Sequence, residues 1–291
     1  LWDVEHKDLR QGNMPRRCWM KLEDTGGGNV DSAVKRSPIQ AAGMLRERRW
    51  GSWYGAVLTS ATLRSLGNFN TLQRETGVPD SAHFLSVAGA FDYAKAASLR
   101  VPSDAVEGNN VDDHTQHIVD NIGSMVETKA GTLVLFSSRR QMQQVHDELP
   151  NDLVKLIFIQ GQYSNREMVR LHKERIDQGS TSMLFGLASF AEGVDLPGDY
   201  CRHVVIAKLP FAVPNEPLQQ ALAEWIEARG GNSFFDISLP LASLRLIQAC
   251  GRLLRTESDT GTVTILDKRL LTKRYGKQLL DALPPFRREL G

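Results

Sequence analysis

The sequence predicts an α/β fold in which a parallel β-sheet is covered by helices on both faces. From about residue 55 onward, short apolar segments with the length of strands alternate with longer segments of helical periodicity. Continuous apolar strands joined by helices are typical of parallel sheets that are buried on both faces. A length of 291 residues allows one large or two modest domains with a buried core.

The predicted elements begin with a hairpin and continue as alternating strands and helices. The hairpin is expected from strands 17–24 and 29–36, and a helix over 37–50 is expected with Ser37 as its N-cap. Later strands are predicted at 56–61, 132–137, 156–160, 182–186, 203–207 and 262–266. Helices are predicted at about 112–128, 138–148, 166–178, 215–229, 240–255 and 268–282. Ligands bind such sheets beyond the carboxyl ends of the strands, so the segment after each strand is a candidate site.

The composition is that of an ordinary soluble globular protein. The net charge is +1, so any nucleic-acid surface must come from local clustering of basic residues. Cys18, Cys201 and Cys250 are odd in number and far apart, which indicates a reducing compartment and a cytoplasmic location. No zinc or iron–sulfur site can be built from these three alone. No apolar run reaches the roughly 18 residues that a membrane span requires, so we expect no membrane partner.

The segment LIQACGRLLR, residues 246–255, embeds polar and charged side chains among leucines. In the predicted helix, Gln248, Arg252 and Arg255 are spaced i, i+4 and i+7 and share one face, and Gly251 beside them leaves room for a partner. Two arginines on one face suit a polyphosphate, because each guanidinium pairs with phosphate oxygens and keeps its charge. A surface helix with two solvated arginines is the alternative.

The segment LFGLASFAEGVDLPG, residues 184–198, directly follows a predicted strand. Gly193 allows backbone amides to approach a ligand, and Asp195 offers an acceptor for a hydroxyl group such as those of a ribose. Glu192 adds a second carboxylate. Taken alone, this pattern is also that of an ordinary loop.

Hydroxyl-bearing residues follow two other predicted strands. LFSSRR (135–140) ends a strand and opens a helix, where hydroxyls and free amides bind phosphate, although plain N-capping is the alternative. VLTSATL (57–63) places small hydroxyl residues where they suit a hydrogen-bonded relay or a turn. His114 and His117 have metal-like spacing, but we expect N-capping and solvation at the start of a helix.

Taken in order, these segments resemble the motifs of superfamily 2 helicases. S-A-T, then a strand ending F-x-S, then E-G-x-D and Q-x-x-G-R-x-x-R correspond to motifs III, IV, V and VI. VLTSATLRSLGNF, SFAEGVDLPGD, QACGRLLR and DKRLLTKRYGKQLLDALPPF together resemble the DinG group of bacterial DNA helicases, which is related to the XPD repair helicase. The similarity runs from about residue 37 to the end and separates this group from DEAD-box and RecQ-type helicases.

The resemblance implies a RecA-like motor domain that shares an ATP site with a first motor domain and moves 5′ to 3′ on single-stranded DNA. It implies that Arg252 and Arg255 stabilise charge on the γ-phosphate and that Gln248 orients the nucleotide or its attacking water. The other implied roles are nucleotide contacts at Glu192, Gly193, Asp195 and Gly251, coupling of nucleotide state to domain closure at Ser60, Ala61 and Thr62, and DNA contacts at Ser137, Ser138, Arg139 and Ser189, with Phe190 as a stacking platform.

Patterns of the family's first motor domain do not occur in this sequence. It contains no G-x-x-x-x-G-K-[ST] phosphate loop, no D-E-A-H box and no four-cysteine cluster. We therefore expect residues 66–291 to be the second motor domain and residues 1–65 to be a remnant of the first, ending in motif III. ATP, Mg²⁺ and an iron–sulfur cluster are expected in the first motor domain of the same protein, and the chain alone is expected to be an inactive monomer.

Two other functions are compatible with the same residues. One is a non-catalytic module that binds single-stranded DNA or a protein, which the missing phosphate loop favours for the chain in isolation. The other is a motor with a different output, such as a nuclease or a translocase that strips proteins from DNA. The paired arginines of motif VI favour the helicase motor, because a pure binding module does not need them.

Overall fold

The computed structural model describes residues 3–4, 16–24, 30–212 and 217–291. The strands are β1 (Asp3–Val4), β2 (Arg16–Asp24), β3 (Val30–Pro38), β4 (Ala97–Val101), β5 (Gly131–Phe136), β6 (Ile157–Ile159), β7 (Ser182–Leu187), β8 (His203–Ile206), β9 (Gly261–Ile265) and β10 (Arg287–Leu290). The helices are α1 (Ala42–Leu45), α2 (Asn70–Thr76), α3 (Tyr93–Ala96), α4 (Val111–Asn121), α5 (Arg139–Glu148), α6 (Asn151–Val154), α7 (Asn165–Asp177), α8 (Ala188–Glu192), α9 (Pro217–Glu227), α10 (Leu239–Cys250), α11 (Arg269–Thr272) and α12 (Arg274–Ala282). Single turns of π-helix lie at Arg46–Trp50 and Phe234–Ser238, and turns of 3₁₀-helix lie at Ile122–Met125 and Gly198–Tyr200.

The chain folds as two compact units. The first unit comprises Leu1–Leu85 and Ala212–Leu241, and the second comprises Ser86–Phe211 and Ala242–Gly291. The boundary predicted at residue 65 concerns the division between two motor domains, which is a different division from that into compact units. It stays a prediction.

The first unit contains the predicted hairpin. β2 and β3 pair antiparallel from Arg16↔Pro38 to Asp24↔Val30, and β1 pairs with β2 at the other edge. The side chain of Arg17 on β2 is 6% exposed and lies 3.1 Å from Glu224 on α9. This ion pair joins the hairpin to a helix that is distant in sequence, so the predicted hairpin is confirmed as part of a packed unit.

The described strands of the second unit form one parallel sheet in the order β10-β4-β9-β8-β5-β7-β6. β5 pairs with β7 through Leu135↔Gly186 and with β8 through Leu135↔Ile206. Every residue of β5 is buried, so the strand is covered on both faces. The predicted parallel sheet flanked by helices is confirmed, and its order brings the segments after β9, β8, β5 and β7 side by side.

The core beside β5 and β7 is closed by α4 and α5. Ile118 of α4 and Val145 of α5 are fully buried in one cluster with Phe136 and Phe185, whose ring centroids lie 5.2 Å apart. Burial of each such side chain contributes about 1.5–3 kcal/mol. This packing fixes the carboxyl end of β5, from which motif IV emerges.

The strand predicted at 56–61 is wrong. These residues form neither helix nor strand, and Val57 is 91% exposed. An apolar segment becomes a strand only when its backbone groups find a partner strand, and residues 56–61 make no ladder with any strand in the described ranges. The sequence shows that a segment has the apolar composition of a strand, but it does not show whether another strand pairs with it.

Other corrections concern the ends of elements and missed strands. The helix predicted to start at Ser37 starts at Ala42, because β3 continues to Pro38 in its ladder with β2. The helix predicted over 268–282 is divided into α11 and α12 at Lys273, whose backbone is extended. β4 and β10 are strands that the sequence does not predict, because β10, with the sequence RREL, is exposed at every position and carries no apolar pattern.

Candidate functional site

Gln248, Arg252 and Arg255 lie at the end of a helix rather than along a continuous one. α10 ends at Cys250, and the N–H of Arg252 donates to the carbonyl oxygen of Ala249 at 3.1 Å in the turn that follows. The common helical face predicted for the three side chains is therefore wrong beyond Cys250. Gln248 and Arg252 still border one small pocket, whereas Arg255 lies past the turn.

The loop after α8 receives both arginines of motif VI. Arg252 Nη1 donates to the carbonyl oxygen of Val194 at 3.1 Å. Arg255 Nε donates to Asp195 Oδ1 at 2.7 Å. Motifs V and VI therefore meet at two consecutive residues, although 58 and 60 positions of sequence separate the partners.

The ion pair between Arg255 and Asp195 lies at the surface. The two side chains are 37% and 67% exposed. A pair of this exposure contributes about 0–1 kcal/mol, because water and salt screen both charges. A ligand that carries negative charge can therefore draw Arg255 away from Asp195 at little cost.

A buried carboxylate holds the backbone around Arg255 in place. Asp259, two residues before β9, accepts hydrogen bonds from the N–H groups of Gly198 at 3.1 Å, Arg255 at 2.7 Å and Thr256 at 2.9 Å. The Thr256 hydroxyl donates to the same carboxylate at 2.5 Å. Burial opposes ionisation, but these hydrogen bonds outweigh it and lower the pKa of Asp259. The sequence analysis did not select Asp259, although its T-x-x-D spacing is a turn signal.

The small pocket beside motif VI adds a residue that the sequence analysis missed. Its walls include Arg245, Gln248 and Arg252 on the α10 side and Ala188 and Ala191 of α8 on the other. Arg245 also donates from Nη1 to the carbonyl oxygen of Pro210 at 3.3 Å. The sequence spacing could have identified this residue, because Arg245 lies three positions before Gln248 and therefore on the same face of the helix.

Motif IV lies at the carboxyl end of β5, as expected. Ser137, Ser138 and Arg139 are exposed there. Ser138 is the N-cap of α5, since its hydroxyl oxygen accepts from the N–H of Gln141 at 3.4 Å. The N-capping alternative is thus confirmed for Ser138, and it leaves the exposed groups beside it accessible to an anion.

Phe190 is not a stacking platform in this structure. It is 1% exposed, and its ring lies against Gly186, where a Cβ would come within 2.5 Å of Phe190 Cδ1. The ring fills the space between α8 and β7, so no face is presented to a base. The side chains of Ser189 and Glu192, on the same short helix, lie outside the described part of the structure.

Comparison with known proteins identifies the family. Residues 122–286 match the model of the helicase C-terminal domain family. The chain belongs to this family. The ATP-dependent DNA helicase DinG of Photobacterium profundum is 40% identical over 294 residues, which are 99% of this chain and 42% of that protein. The DinG of Escherichia coli K12 is 40% identical over 255 residues, 85% of this chain and 35% of that protein.

The chain thus spans less than half the length of these curated relatives. Among solved structures, an XPD helicase matches with a TM-score of 0.63 at 17% identity, covering 90% of this chain and 48% of that one. A second XPD structure, described as apo, matches with a TM-score of 0.54 at 17% identity and covers 76% and 46% of the two chains. These structures show that the fold is that of a helicase motor domain of the RecA-like class.

The S-A-T segment assigned to motif III, residues 60–62, lies in the first compact unit. Ser60 Oγ and Thr62 Oγ1 are 3.3 Å apart, and the N–H of Thr62 donates to Ser60 Oγ at 3.2 Å. Ser60 and Ala61 are exposed. The hydroxyl pair forms a local turn, and the coupling role expected for Ser60, Ala61 and Thr62 stays a prediction.

The two metal-like histidines are structural rather than solvated. His114 is fully buried, with Nε2 3.1 Å from the carbonyl oxygen of Leu266 and Nδ1 3.0 Å from Gln141 Nε2. His117 is 8% exposed, so the predicted solvation is wrong for both. Within the described ranges no group of three or more His, Cys, Asp or Glu side chains is arranged to hold a metal ion.

The cysteines of the second unit do not suit an iron–sulfur cluster. Cys201 and Cys250 are buried, and desolvation raises the pKa of each thiol to about 12. A cluster needs thiolates, which burial disfavours here. Both residues act as packing residues, as expected. Separately, none of the helices in the described ranges is long and apolar enough to cross a membrane.

Proposed function

We propose that this chain is the second motor domain of an ATP-dependent DNA helicase that moves 5′ to 3′ on single-stranded DNA. In this function the chain supplies motifs IV, V and VI to an ATP site that it shares with a first motor domain. The observation that carries the proposal is the junction of motifs V and VI, where Arg252 and Arg255 bond to Val194 and Asp195. The names of the relatives, ATP-dependent DNA helicases, support it.

Arg255 is the residue assigned to the γ-phosphate. Its side chain is exposed enough for the guanidinium to reach a ligand. Its backbone N–H is bonded to Asp259, so the position of the main chain is fixed. During phosphoryl transfer it would leave Asp195 and stabilise the charge that develops on the transferred group. Arg252 and Gln248 would contact the same nucleotide, with Gln248 orienting it or its attacking water.

The glycines and carboxylates of motifs V and VI complete the nucleotide side of the proposed site. Gly193 and Gly251 are exposed, and a Cβ at Gly193 would meet no atom of the described residues closer than 3.9 Å. The small size of Gly193 is therefore not required by the packing of this chain and is available for the approach of a ligand. Glu192 and Asp195 are assigned to contacts with the sugar or with bound water.

ATP and Mg²⁺ are assigned to the first motor domain for their principal contacts. The resemblance places the protein ligands of Mg²⁺ in a D-E-A-H box of that domain, and we assign no Mg²⁺ ligand to this chain. When bound, Mg²⁺ neutralises phosphate charge and orients the transferred group. An iron–sulfur cluster is likewise assigned to the first motor domain, because Cys201 and Cys250 are buried thiols.

Single-stranded DNA is assigned to the carboxyl edge of the sheet. Ser137, Ser138 and Arg139 are exposed after β5, and the backbone of Ser189 lies in the first turn of α8, after the neighbouring β7. Hydroxyls, an arginine and free amide groups together suit phosphate oxygens of any sequence. Phe190 takes no part, because its ring is buried.

The test of the catalytic assignment is Arg255→Ala in a helicase that carries this domain together with a phosphate-loop motor domain. An arginine that meets charge mainly in the transition state lowers kcat when it is lost. We expect single-turnover ATP hydrolysis to fall by roughly 10³-fold, equivalent to about 4 kcal/mol, with little change in DNA affinity. Arg255→Lys should not restore the rate, because an ammonium lacks the planar fork.

The matched control is Arg166→Ala, which removes an exposed arginine from α7. It should leave turnover unchanged. A correctly folded Arg255→Ala variant with near-normal turnover contradicts the motor assignment. In that case the alternative of a binding module that holds single-stranded DNA or a protein is favoured.

A further inference from the structure

Segments that follow β4, β8 and β9 meet at Asp267, at the carboxyl edge of the sheet. Asp267 follows β9 and has no exposed surface. Its carboxylate accepts from the N–H of Gly108, after β4, at 3.2 Å and from the N–H of Leu209, after β8, at 3.0 Å. Arg269 donates to it through Nε at 2.9 Å and Nη2 at 2.6 Å. The carboxylate oxygens are therefore fully used by these donors.

The side chain of Lys208 reaches the same point. A Cβ at Gly108 would lie 2.9 Å from Lys208 Cγ, 2.7 Å from Asp267 Oδ2 and 3.1 Å from Arg269 Nη2, so the three side chains meet there. Lys208 is only partly exposed, and no residue in the described ranges forms an ion pair or hydrogen bond with its ammonium group. Burial and the nearby Arg269 lower the pKa of Lys208, and the attraction of Asp267, which acts in the opposite direction, offsets them only in part.

The local charges leave one cation in excess. Arg269 is paired with Asp267, and Lys273 is paired with Glu107 at 2.8 Å. Lys208 is then the remaining charge of this cluster. A partly buried cation is unfavourable when its nearest carboxylate is already engaged by another cation, and an anion that binds beside it offsets the cost.

The position of Lys208 in the sheet indicates the kind of anion. β8 lies between β9 and β5, so Lys208 and the motif IV residues Ser137 and Ser138 follow adjacent strands. Adjacent strands lie about 4.8 Å apart. A phosphodiester chain that crosses the strand ends would therefore meet the serines and the ammonium group in succession.

We propose that Lys208 is a phosphate-contact residue that extends the single-stranded DNA surface from motif IV across the end of β8. This inference rests on the DNA-binding part of the proposed function. The ligand group is a backbone phosphate, and the contact is independent of base sequence. Arg269 and Asp267 position the lysine and do not themselves need to touch the nucleic acid.

The test is the salt dependence of binding of a fluorescent oligothymidylate to the chain and to Lys208→Ala. Loss of one phosphate contact on a single strand should reduce the slope of log K against log salt by about 0.7 and weaken binding about fourfold at about 0.15 M salt. Lys208→Arg should keep the slope. Lys277→Ala, which removes an exposed lysine of α12, is the matched control and should change neither quantity.

Thermal melting and competition separate this role from others. Lys208→Ala should melt at the same temperature as the wild type or higher, because the carboxylate nearest to the lost charge, Asp267, is already paired with Arg269. A lower melting temperature with an unchanged salt slope would overturn the inference in favour of a structural lysine. The inference would also be overturned if Lys208→Ala weakened the binding of ATP or inorganic phosphate but left the binding of oligothymidylate unchanged.

The outcomes also distinguish this inference from the proposed function. If the wild-type chain binds oligothymidylate and Lys208→Ala has an unchanged slope, only the inference about Lys208 fails. If the wild-type chain does not bind oligothymidylate at any salt concentration, the assignment of the carboxyl edge to DNA fails and the inference fails with it.

Discussion

Arg255 and Asp259 are four residues apart and lie in opposite environments. The guanidinium of Arg255 is solvent-accessible. The carboxylate of Asp259 is buried and accepts hydrogen bonds from the backbone N–H groups of Arg255 and Thr256. A group that stabilises a transition state must be held with little freedom at its backbone. The pairing of an exposed arginine with a buried backbone anchor provides that restraint, and only the arginine is evident from the motif.

Gly193 gives a test of the ligand assignment that does not disturb the fold. Its φ of −100° is accessible to any residue, and an added Cβ would lie 3.9 Å from the carbonyl oxygen of Phe190. We expect Gly193→Ala to leave the free energy of unfolding unchanged or to raise it by up to about 1 kcal/mol. ATP turnover by a helicase with both motor domains should nevertheless fall by about tenfold or more, since the methyl group displaces the nucleotide.

Gly179→Ala is the matched control for this substitution. Gly179 has a φ of +73° with open space around its Cα, so alanine there is strained without a clash. It should cost about 1–2 kcal/mol in unfolding free energy and leave turnover unchanged. Full turnover in Gly193→Ala would show that no ligand approaches the end of α8.

At the scale of elements, the sequence predicts those that carry their own periodicity. β5, β7, β8 and β9 are apolar runs, and their predicted positions are confirmed to within one or two residues. β10 has no apolar signal and depends on its ladder with β4, from Arg287↔Ser98 to Leu290↔Val101. Its existence is a property of tertiary pairing, which local patterns do not contain.

The site follows the same division between local and non-local signals. The resemblance to helicase motifs implied that the Asp195 and Arg255 segments belong to one site, and the distance of 2.7 Å between the two side chains agrees. The burial of Phe190 was not predictable, because it depends on the way α8 folds back over the preceding strand β7, where the ring packs against Gly186. Likewise, the shared helical face failed because the helix end at Cys250 is set by the turn toward Asp259 rather than by the leucine pattern.

The contact between α7 and β7 predicts a dependence of stability on pH. His172 of α7 is fully buried, with Nδ1 2.8 Å from Ser182 Oγ and Nε2 2.8 Å from the carbonyl oxygen of Tyr200. Burial lowers the pKa of His172 to about 4. Between pH 4 and about 6.5 the unfolded chain therefore binds a proton that the folded chain does not, so stability falls as the pH falls through this window.

His172 alone is expected to lower the free energy of unfolding by about 3 kcal/mol on acidification. This follows from a pKa difference of about 2.5 between the unfolded and folded states, at about 1.36 kcal/mol for each pKa unit. Denaturant unfolding of the wild type and His172→Gln at several pH values measures it as a difference in pH dependence. The variant is expected to be less stable near neutral pH and to lose less stability on acidification. His146→Gln, at a more exposed position of α5, is the control. Equal pH dependence in wild type and His172→Gln would contradict the neutral, buried imidazole.

At the scale of the whole molecule, the proposed chemistry is divided between two motor domains. The chain contains the arginines of motif VI and the hydroxyl groups of motif IV, but its sequence has no G-x-x-x-x-G-K-[ST] pattern. In phosphate-loop enzymes the loop amides and the lysine hold the β- and γ-phosphates, and Mg²⁺ bridges them. Arginines that stabilise the transition state do not replace these ground-state contacts.

The 291-residue chain by itself should therefore not hydrolyse ATP, even with magnesium and single-stranded DNA. Phosphate release is the measurement, with Arg255→Ala purified in parallel as the control. A contaminating ATPase gives the same rate in both preparations, because the substitution cannot affect another protein. Turnover that is stimulated by DNA, follows the protein through purification and is abolished by Arg255→Ala would show that the chain holds and hydrolyses the nucleotide alone. That result would overturn the division of the site, because Arg255 would then act on a nucleotide bound without a phosphate loop.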